Sequence, residues 1–186
     1  MKGYGQDIGE WELEKDKKGI KVYTRAQEGW PIKGFRAETS IKSSKEDFIQ
    51  TVLNADAFTE WMKDMKSSKN IEVTDNDTVI TYYVIDIPWP MQDRDAVGTM
   101  SRREEDNTTF IEVSILNDYL PEYPKLVRMK RSLGYWSVTE TSENNLDIVY
   151  QFIADPEGNV PGWIANLFLV DGPYETLANL RDRLEQ

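Results

Sequence analysis

Between Asn70 and Ala154 the chain repeats one pattern, in which apolar residues recur at every second position. This period is that of a β-strand with one buried face. Turn-forming clusters, "DND", "EEDN" and "SENN", separate the segments, so neighbouring strands are expected to pair antiparallel. The predicted strands are Asn70–Thr74, Val79–Ile87, Asp95–Glu104, Thr108–Asn117, Leu126–Thr139 and Leu146–Ala154.

Two further strands and two short helices are predicted before this region. The strands are Ile20–Arg25 and Phe35–Ile41. The first helix lies in "SSKEDFIQTVLN", where Ser43 or Ser44 is the N-cap and an acidic residue follows three positions later. Asp56 is expected to cap the second helix. The apolar faces of the two helices comprise Phe48, Ile49, Val52 and Leu53, and Phe58, Trp61, Met62 and Met65.

The last segment, "GWIANLFLVDGPYETLANLRDRLEQ", predicts the longest helix of the chain. Its first half is apolar nearly all round, and a helix of that kind has to be enclosed. Two strands each present a wholly apolar face that needs a cover: Ile111, Val113 and Ile115 on one, Leu146, Ile148, Tyr150 and Phe152 on the other. The chain is therefore predicted to be an α+β protein in which a curved antiparallel sheet grips one long C-terminal helix.

The composition excludes several classes of function. The chain has no cysteine and no histidine, which removes disulfides, Cys and Ser-His nucleophiles, and His-ligated metals. No carboxylate spacing indicates a calcium or magnesium site. We therefore expect no metal, no cofactor and no enzymatic activity.

Charge and hydropathy bear on partners and location. A net charge of −11 disfavours nucleic acid, because phosphate repels an acidic surface. No apolar run approaches the length of a membrane span, and the first residues lack the apolar core of a signal peptide. We expect a soluble monomer that is cytoplasmic, or periplasmic or secreted if a signal peptide has been removed.

An ordered series of motifs resembles one protein family. The series is "GIKVYTR", "FRAE", Trp61, "PWPMQDRD", "VRMKRSLGYW", "VYQFIADPEGNVPGWIAN" and "TLANLR". It resembles the START domain, the lipid-transfer domain of the steroidogenic acute regulatory protein family, within the Bet v 1-like helix-grip group. The resemblance covers about residues 10–184, so residues 1–186 are expected to form one domain.

The resemblance implies a tunnel between sheet and helix that holds one hydrophobic small molecule, with the C-terminal helix as its lid. Sterol-carrying members keep a buried acid and an arginine at positions that correspond here to Thr81 and Met100, which argues against a sterol. The expected ligand-binding residues are Thr81, Tyr83, Ile85, Gly98, Met100, Ile111, Val113, Ile115, Arg131, Tyr150, Ala165, Phe168, Leu169 and Thr176.

Gly172 and Pro173 interrupt the long helix. Proline has no N–H for the carbonyl of Leu169, and glycine is conformationally free. The pair is either the hinge of the lid or a static kink that fits the helix to the curved sheet.

Four other residues on loops or strand ends have two interpretations each. Trp89, between two prolines, either contacts a membrane or ligand at the tunnel mouth or closes a hydrophobic corner. Arg131 either faces the tunnel or is solvated because a bulge shifts the strand register. Arg94 and Asp95 are expected to form a local ion pair or turn bonds.

Two alternatives to a lipid carrier remain open. One is a helix-grip enzyme of the aromatic polyketide cyclase type, in which Tyr, Glu or Arg would move protons. The other is a ligand-gated module whose closed lid is recognised by a partner protein.

Overall fold

The computed structural model describes residues 9–75, 78–158 and 160–186. The first eight residues, in which no signal peptide is predicted, lie outside these ranges. The strands are β1 (Glu12–Lys17), β2 (Ile20–Arg25), β3 (Gly34–Lys42), β4 (Met65–Asp75), β5 (Thr78–Ile85), β6 (Arg94–Glu105), β7 (Thr108–Ile115), β8 (Val127–Arg128), β9 (Ser132–Ser142) and β10 (Asn145–Ala154). The helices are α1 (Lys45–Leu53), α2 (Phe58–Trp61), α3 (Gly162–Asn166) and α4 (Gly172–Leu184).

The strands form one curved sheet, and the predicted α+β helix-grip fold is confirmed. The strand order is β1-β2-β3-β10-β9-β7-β6-β5-β4, with neighbours antiparallel, and the short β8 pairs in parallel with β6 off this path. Two-residue turns join β1 to β2, β6 to β7 and β9 to β10, and longer loops join β2 to β3 and β5 to β6. In contrast, β3 pairs with β10 from the far end of the chain. This long-range pairing brings the segment before the C-terminal helix into the middle of the sheet.

The edge strand β1 is absent from the sequence predictions. Its sequence, ELEKDK, is almost entirely charged and its side chains are mostly exposed, so it lacks the alternation that marks a half-buried strand. It forms because Lys18 and Gly19 both have positive φ, as in a type I′ hairpin turn that pairs β1 with β2. Charged edge strands also discourage pairing with other chains.

The C-terminal helical segment lies across the sheet. It comprises α3, a π-helical turn (Leu167–Asp171) and α4, and it contacts β2 and β3. Leu177 and Leu180 of α4 are fully buried in the main core cluster with Ile20, Val22 and Ile148 of the strands. In the first half, which the sequence predicts to be enclosed, Ile164 and Leu169 are buried and Ala165, Phe168 and Val170 are partly buried.

Two short helices after β3 are also confirmed, although their details differ. Ser44 is the N-cap of α1, and its side chain accepts a hydrogen bond from the backbone N–H of Asp47. Asp56 does not cap α2. It lies in a preceding 3₁₀ turn, where its carboxylate accepts from the backbone N–H of Asn70 at 3.0 Å. Met65, predicted to lie in the second helix, begins β4.

The predicted strand Leu126–Thr139 is interrupted. After β8 the chain leaves the sheet and re-enters it at Ser132. The cause is β6, because the backbone N–H groups of Val127 and Met129 donate to the carbonyls of Asp93 and Asp95. Because of this interruption, the alternation of sides along the predicted strand does not continue through Arg131, so it does not give the side of the sheet on which Arg131 lies.

Of the local ion pair or turn bonds expected for Arg94 and Asp95, the ion pair does not form between these described residues, whereas Arg94 does donate to the nearby carbonyl of Gln92. Asp95 is fully buried and accepts two hydrogen bonds from Arg128, at 3.0 and 2.8 Å. Tyr82 donates to the same carboxylate at 3.1 Å, and burial is the main reason that the pKa of Tyr82 rises to about 12. This network fastens β8 to β6 and leaves Arg94 for a different role.

No helix among the described residues is both long and apolar enough to cross a membrane.

Candidate functional site

A cavity of about 190 Å³ lies between the sheet and the C-terminal helical segment. Its wall is formed by β3, β5, β6, β7, β9 and β10 on the sheet side, and by residues 164–176 on the helix side. Phe58 and Met62 close one side, and the loop after β10, with Pro156 and Val160, closes another. Protein cores rarely leave a void much larger than a water molecule, so this space is not ordinary packing.

Most of the ligand-binding residues expected from the sequence line this cavity. They lie either at alternate positions of the central strands or on one face of the C-terminal helix. They are Thr81, Tyr83, Ile85, Met100, Val113, Tyr150, Ala165, Phe168, Leu169 and Thr176, and the hinge candidates Gly172 and Pro173 lie beside them.

Three expected residues lie near the cavity but outside its wall. Ile111 is fully buried in the main core cluster, away from the void. Ile115 packs on a smaller cluster of Tyr83, Ala96 and Met129, of which Tyr83 and Met129 line the void. Gly98 has no side chain to contribute, and its carbonyl accepts a 3.4 Å hydrogen bond from Thr81.

Of the two interpretations of Arg131, the structure agrees with the solvated one, and Arg131 is not part of the cavity wall. It is exposed, its Nη1 donates to the carbonyl of Gly29 at 2.7 Å, and its guanidinium lies 3.8 Å from the centre of the Trp30 ring. The interruption of the strand before Ser132 turns this side chain to the outside. Arg131 therefore ties the β2–β3 loop to the sheet and does not face the cavity.

Two tyrosine hydroxyls are the main neutral polar groups in the wall. Neither Tyr83 nor Tyr150 makes a hydrogen bond to a described residue. Burial raises the pKa of Tyr83 to about 12 and also raises the pKa of Tyr150, so both hydroxyls are protonated at neutral pH. They are available to donate to a bound molecule.

The Tyr150 ring is fixed by aromatic neighbours. It stacks on Trp136 with ring centres 3.8 Å apart, and Phe35 meets it edge-on at 4.9 Å. Because aromatic packing holds the ring, its hydroxyl position is set before any ligand arrives.

Four charged residues also reach the wall: Lys33, Lys63, Asp64 and Arg94. Lys63 lies 3.4 Å from the Asp64 carboxylate. Burial raises the pKa of Asp64, while the Lys63 charge opposes that rise, and Asp64 in turn is the main cause of the raised pKa of Lys63. This pair is neutral overall.

The helix changes geometry where it passes the cavity. The π-helical turn brings the carbonyl oxygen of Leu167 against Gly172, 3.0 Å from where a Cβ atom would stand. Gly172 and Pro173 begin α4, so the joint separates α4 from the part of the helix that bears Ala165 and Phe168. π-Helical turns often occur at functional sites.

Several wall residues are missing from the sequence predictions. Phe35, Phe152 and Trp136 line the void but resemble ordinary core aromatics in sequence. Gly134 could have indicated one of them, because a glycine inside a strand often marks the close approach of another group, and Gly134 pairs with Phe152 in the sheet. A Cβ on Gly134 would lie only 1.9 Å from the Phe152 ring, so glycine makes room for that ring.

Trp89 lies on the loop between β5 and β6 and is 89% exposed, so it does not close a hydrophobic corner. Ile87 and Arg94, on either side of this loop, both line the cavity. The loop that bears Trp89 is therefore flanked on both sides by residues of the cavity wall.

Among the described residues, no cluster of three or more carboxylates is placed to hold a metal ion.

Comparison with known proteins identifies relatives over the whole chain. The START domain family model matches residues 1–186. A STAR-related lipid transfer protein from Xanthomonas axonopodis has a similar crystal structure, with a TM-score of 0.86 and 34% identity over 95% of this chain and 99% of that one.

Two sequence relatives add to this. An uncharacterised protein of Pseudomonas aeruginosa is 29% identical over 178 residues, which cover 95% of this chain and 88% of that protein. The phosphatidylcholine transfer protein of Rattus norvegicus is 20% identical over 163 residues, which cover 84% of this chain and 75% of that protein.

Proposed function

Because this chain belongs to the START domain family, we propose that it binds one hydrophobic small molecule in the cavity and carries it between membranes. The observation that carries the proposal is the apolar void between sheet and helix, with two unpaired tyrosine hydroxyls in its wall. The lipid transfer proteins among the relatives support a lipid as the molecule carried.

The energetics of the void favour an occupant. At about 24 cal/mol per Å³, an empty cavity of this size would cost roughly 4–5 kcal/mol of stability. That is a large part of the about 5–15 kcal/mol by which a typical domain is stable. An apolar cavity of about 150 Å³ in another protein stays dry and binds benzene, so an apolar ligand is the natural occupant here.

The size of the void supports a movable lid. It is smaller than the roughly 300–1,000 Å³ of most ligand pockets. A long-chain lipid therefore requires the wall to expand, and the helical part that bears Ala165, Phe168 and Leu169 is the candidate. In this proposal the π-helical turn and Gly172–Pro173 form the joint on which that part lifts.

The chemistry of the cavity wall supports a carrier function rather than an enzymatic one. Tyr83 and Tyr150 hold their protons at neutral pH, so neither acts as a general base there. These groups orient a ligand by hydrogen bonds.

Trp89 supports transient contact with a membrane. Its indole is exposed on a loop flanked by the cavity-wall residues Ile87 and Arg94, and tryptophan favours the membrane–water interface. A ligand that leaves the cavity near Trp89 would then pass directly into the lipid layer.

Native mass spectrometry of the freshly purified protein tests the function. We expect one apolar molecule per chain, recovered by solvent extraction, and binding of the neutral fluorophore N-phenyl-1-naphthylamine once that molecule is removed. Ala165→Trp, which fills the void, should abolish binding of the fluorophore. Ala26→Trp makes the same change at an exposed alanine and should leave binding intact.

The proposal fails if the protein has its bare mass and the stripped protein binds no fluorophore. Turnover of a polyketide-like substrate would favour an enzyme, and ligand-dependent capture of a partner protein would favour an interaction module.

A further inference from the structure

One cation in the cavity wall lacks the carboxylate partner that the others have. Lys33 pairs with Glu12, and Lys63 with Asp64 and Glu175. Arg94 makes no ion pair with any described residue. It is nevertheless the most buried of the three, at 3% exposure.

Backbone carbonyls surround the Arg94 guanidinium. Its Nε donates to Pro156 at 2.9 Å, Nη1 to Gln92 at 2.6 Å and Nη2 to Glu157 at 3.1 Å. A guanidinium has five N–H donors, so two remain without an acceptor among the described residues. These carbonyls fix the orientation of the group without neutralising its charge.

The acidic neighbours of Arg94 in sequence are already engaged. The Asp93 carboxylate accepts from Lys66 at 2.6 Å and from the backbone N–H of Ile87 at 3.0 Å. Asp95 is held by Arg128. In a chain with a net charge of −11, one positive charge is thus buried in the wall of an apolar cavity without a carboxylate in direct contact among the described residues.

A buried, unpaired charge is costly, and it is usually retained where a partner can supply the opposite charge. A guanidinium with two free N–H groups matches the paired oxygens of a carboxylate or phosphate. The apolar remainder of the wall fits a hydrocarbon chain attached to such a group.

We propose that Arg94 makes this cavity selective for amphiphiles whose polar end is a single oxyanion, a carboxylate or a phosphate monoester. This inference rests on the proposed function, since it names the chemical class of the molecule that the cavity holds. Arg94 binds the oxyanion, and Tyr83 and Tyr150 are free to donate to other oxygens of the ligand.

If Arg94 has only a structural role, a different result is expected. In that case Arg94 only ties the loop at Pro156 and Glu157 to the start of β6, and its replacement changes the affinity for all ligands by the same factor. The distinguishing measurement is therefore the ratio of affinities for charged and neutral ligands with the same chain.

The experiment displaces N-phenyl-1-naphthylamine from the stripped protein at pH 8 with decanol, decanoate or decyl phosphate. Charge-assisted hydrogen bonds in a dry site predict that at least one anion binds about tenfold or more tighter than decanol. The comparison of decanoate with decyl phosphate identifies which oxyanion is preferred.

The variants assign that preference to a residue. Arg94→Gln should bring the anions to the affinity of decanol while decanol itself binds as before. Lys33→Gln removes a wall cation that Glu12 already pairs and should keep the preference. If Arg94→Gln does not fold, Arg94→Lys should fold and retain a reduced preference, since it keeps the charge but not the planar fork.

Two outcomes overturn the inference. One is a wild-type protein that binds decanol as tightly as both anions, whatever the variants do. The other is a preference that survives in folded Arg94→Gln. Failure of decanol and of the fluorophore to bind at all contradicts the proposed function instead.

Discussion

The carbonyl oxygen of Leu167 lies 3.0 Å from the place where a Cβ atom on Gly172 would stand. This contact arises because the π-helical turn between these residues widens the helix and turns that carbonyl toward residue 172. A side chain at residue 172 would press on this carbonyl, so replacing Gly172 would disturb the geometry that the hinge hypothesis concerns. Pro173 is the cleaner place to test that hypothesis.

Pro173→Ala should slow the lid. Alanine restores an N–H for a helix carbonyl and favours the helix by up to about 3 kcal/mol, less whatever packing the native bend had gained. If the joint opens the cavity, uptake and release of a fluorescent lipid in vesicle transfer should slow by the same factor, leaving equilibrium affinity nearly unchanged. Pro124→Ala, in a loop away from the cavity, is the control. Unchanged transfer rates in a folded Pro173→Ala protein would make the joint a static bend.

Asp95→Asn should strongly destabilise the fold. It leaves the buried Arg128 charge without its carboxylate, and breaking such a pair costs about 3–5 kcal/mol. Glu122→Gln breaks the exposed pair with Lys130 and should cost no more than about 1 kcal/mol. Urea unfolding monitored by tryptophan fluorescence compares the two. Equal, small losses would mean that the Asp95–Arg128 pair does not hold β8 on β6.

Tyr83 should make the fold sensitive to alkaline pH. Its pKa is about 12 in the folded protein, against 10.0 for the ordinary group, so between these values the unfolded chain releases a proton that the folded chain keeps. The resulting stabilisation is complete below pH 10 and is lost as pH rises toward 12, by about 1.4 kcal/mol per pKa unit.

Tyr83→Phe removes that dependence. Its free energy of unfolding in urea should fall less than that of the wild type between pH 9 and pH 11, where both are measured. Parallel pH curves for the two proteins would show that Tyr83 titrates normally in the fold.

Trp89→Ala should weaken membrane contact. Loss of an indole that enters the interface should lower partitioning onto phosphatidylcholine vesicles by about tenfold, or ~1.4 kcal/mol, or more. Leu13→Ala removes an exposed apolar side chain from the edge strand β1 and should change partitioning little. Co-sedimentation measures both, and equal partitioning of Trp89→Ala and the wild type would argue against this loop as the contact.

Local sequence patterns were sufficient to predict most elements of the fold. The alternation in "VITYYVIDI" placed Thr81, Tyr83 and Ile85 on one face of β5, and that face meets the cavity. The Ser44 cap and the apolar helix followed from equally local rules. The charged strand β1 could not be predicted in this way, because hairpin pairing creates it and its own side chains do not.

Arg131 and Arg94 mark the limit of that reasoning. Parity along a single predicted strand placed Arg131 inside, but β6 draws Val127 and Met129 out of that strand and reverses the outcome. The adjacent residues Arg94 and Asp95 suggest a local ion pair, yet the Asp95 carboxylate accepts hydrogen bonds from Arg128, 33 residues away.

The sequence by itself thus determined the fold class, the enclosed C-terminal helix and the inward-facing side of β5, β7 and β10, because these follow from periodicities of two and 3.6 residues. Only the tertiary structure decided which side of β9 faces inward, that the space beneath the helix is partly empty, and which arginine in its wall has no carboxylate in direct contact among the described residues. A filled core and a hollow one have the same apolar pattern. Whether a charge is paired depends on atoms that lie far apart in the chain and meet only when the sheet closes around the helix.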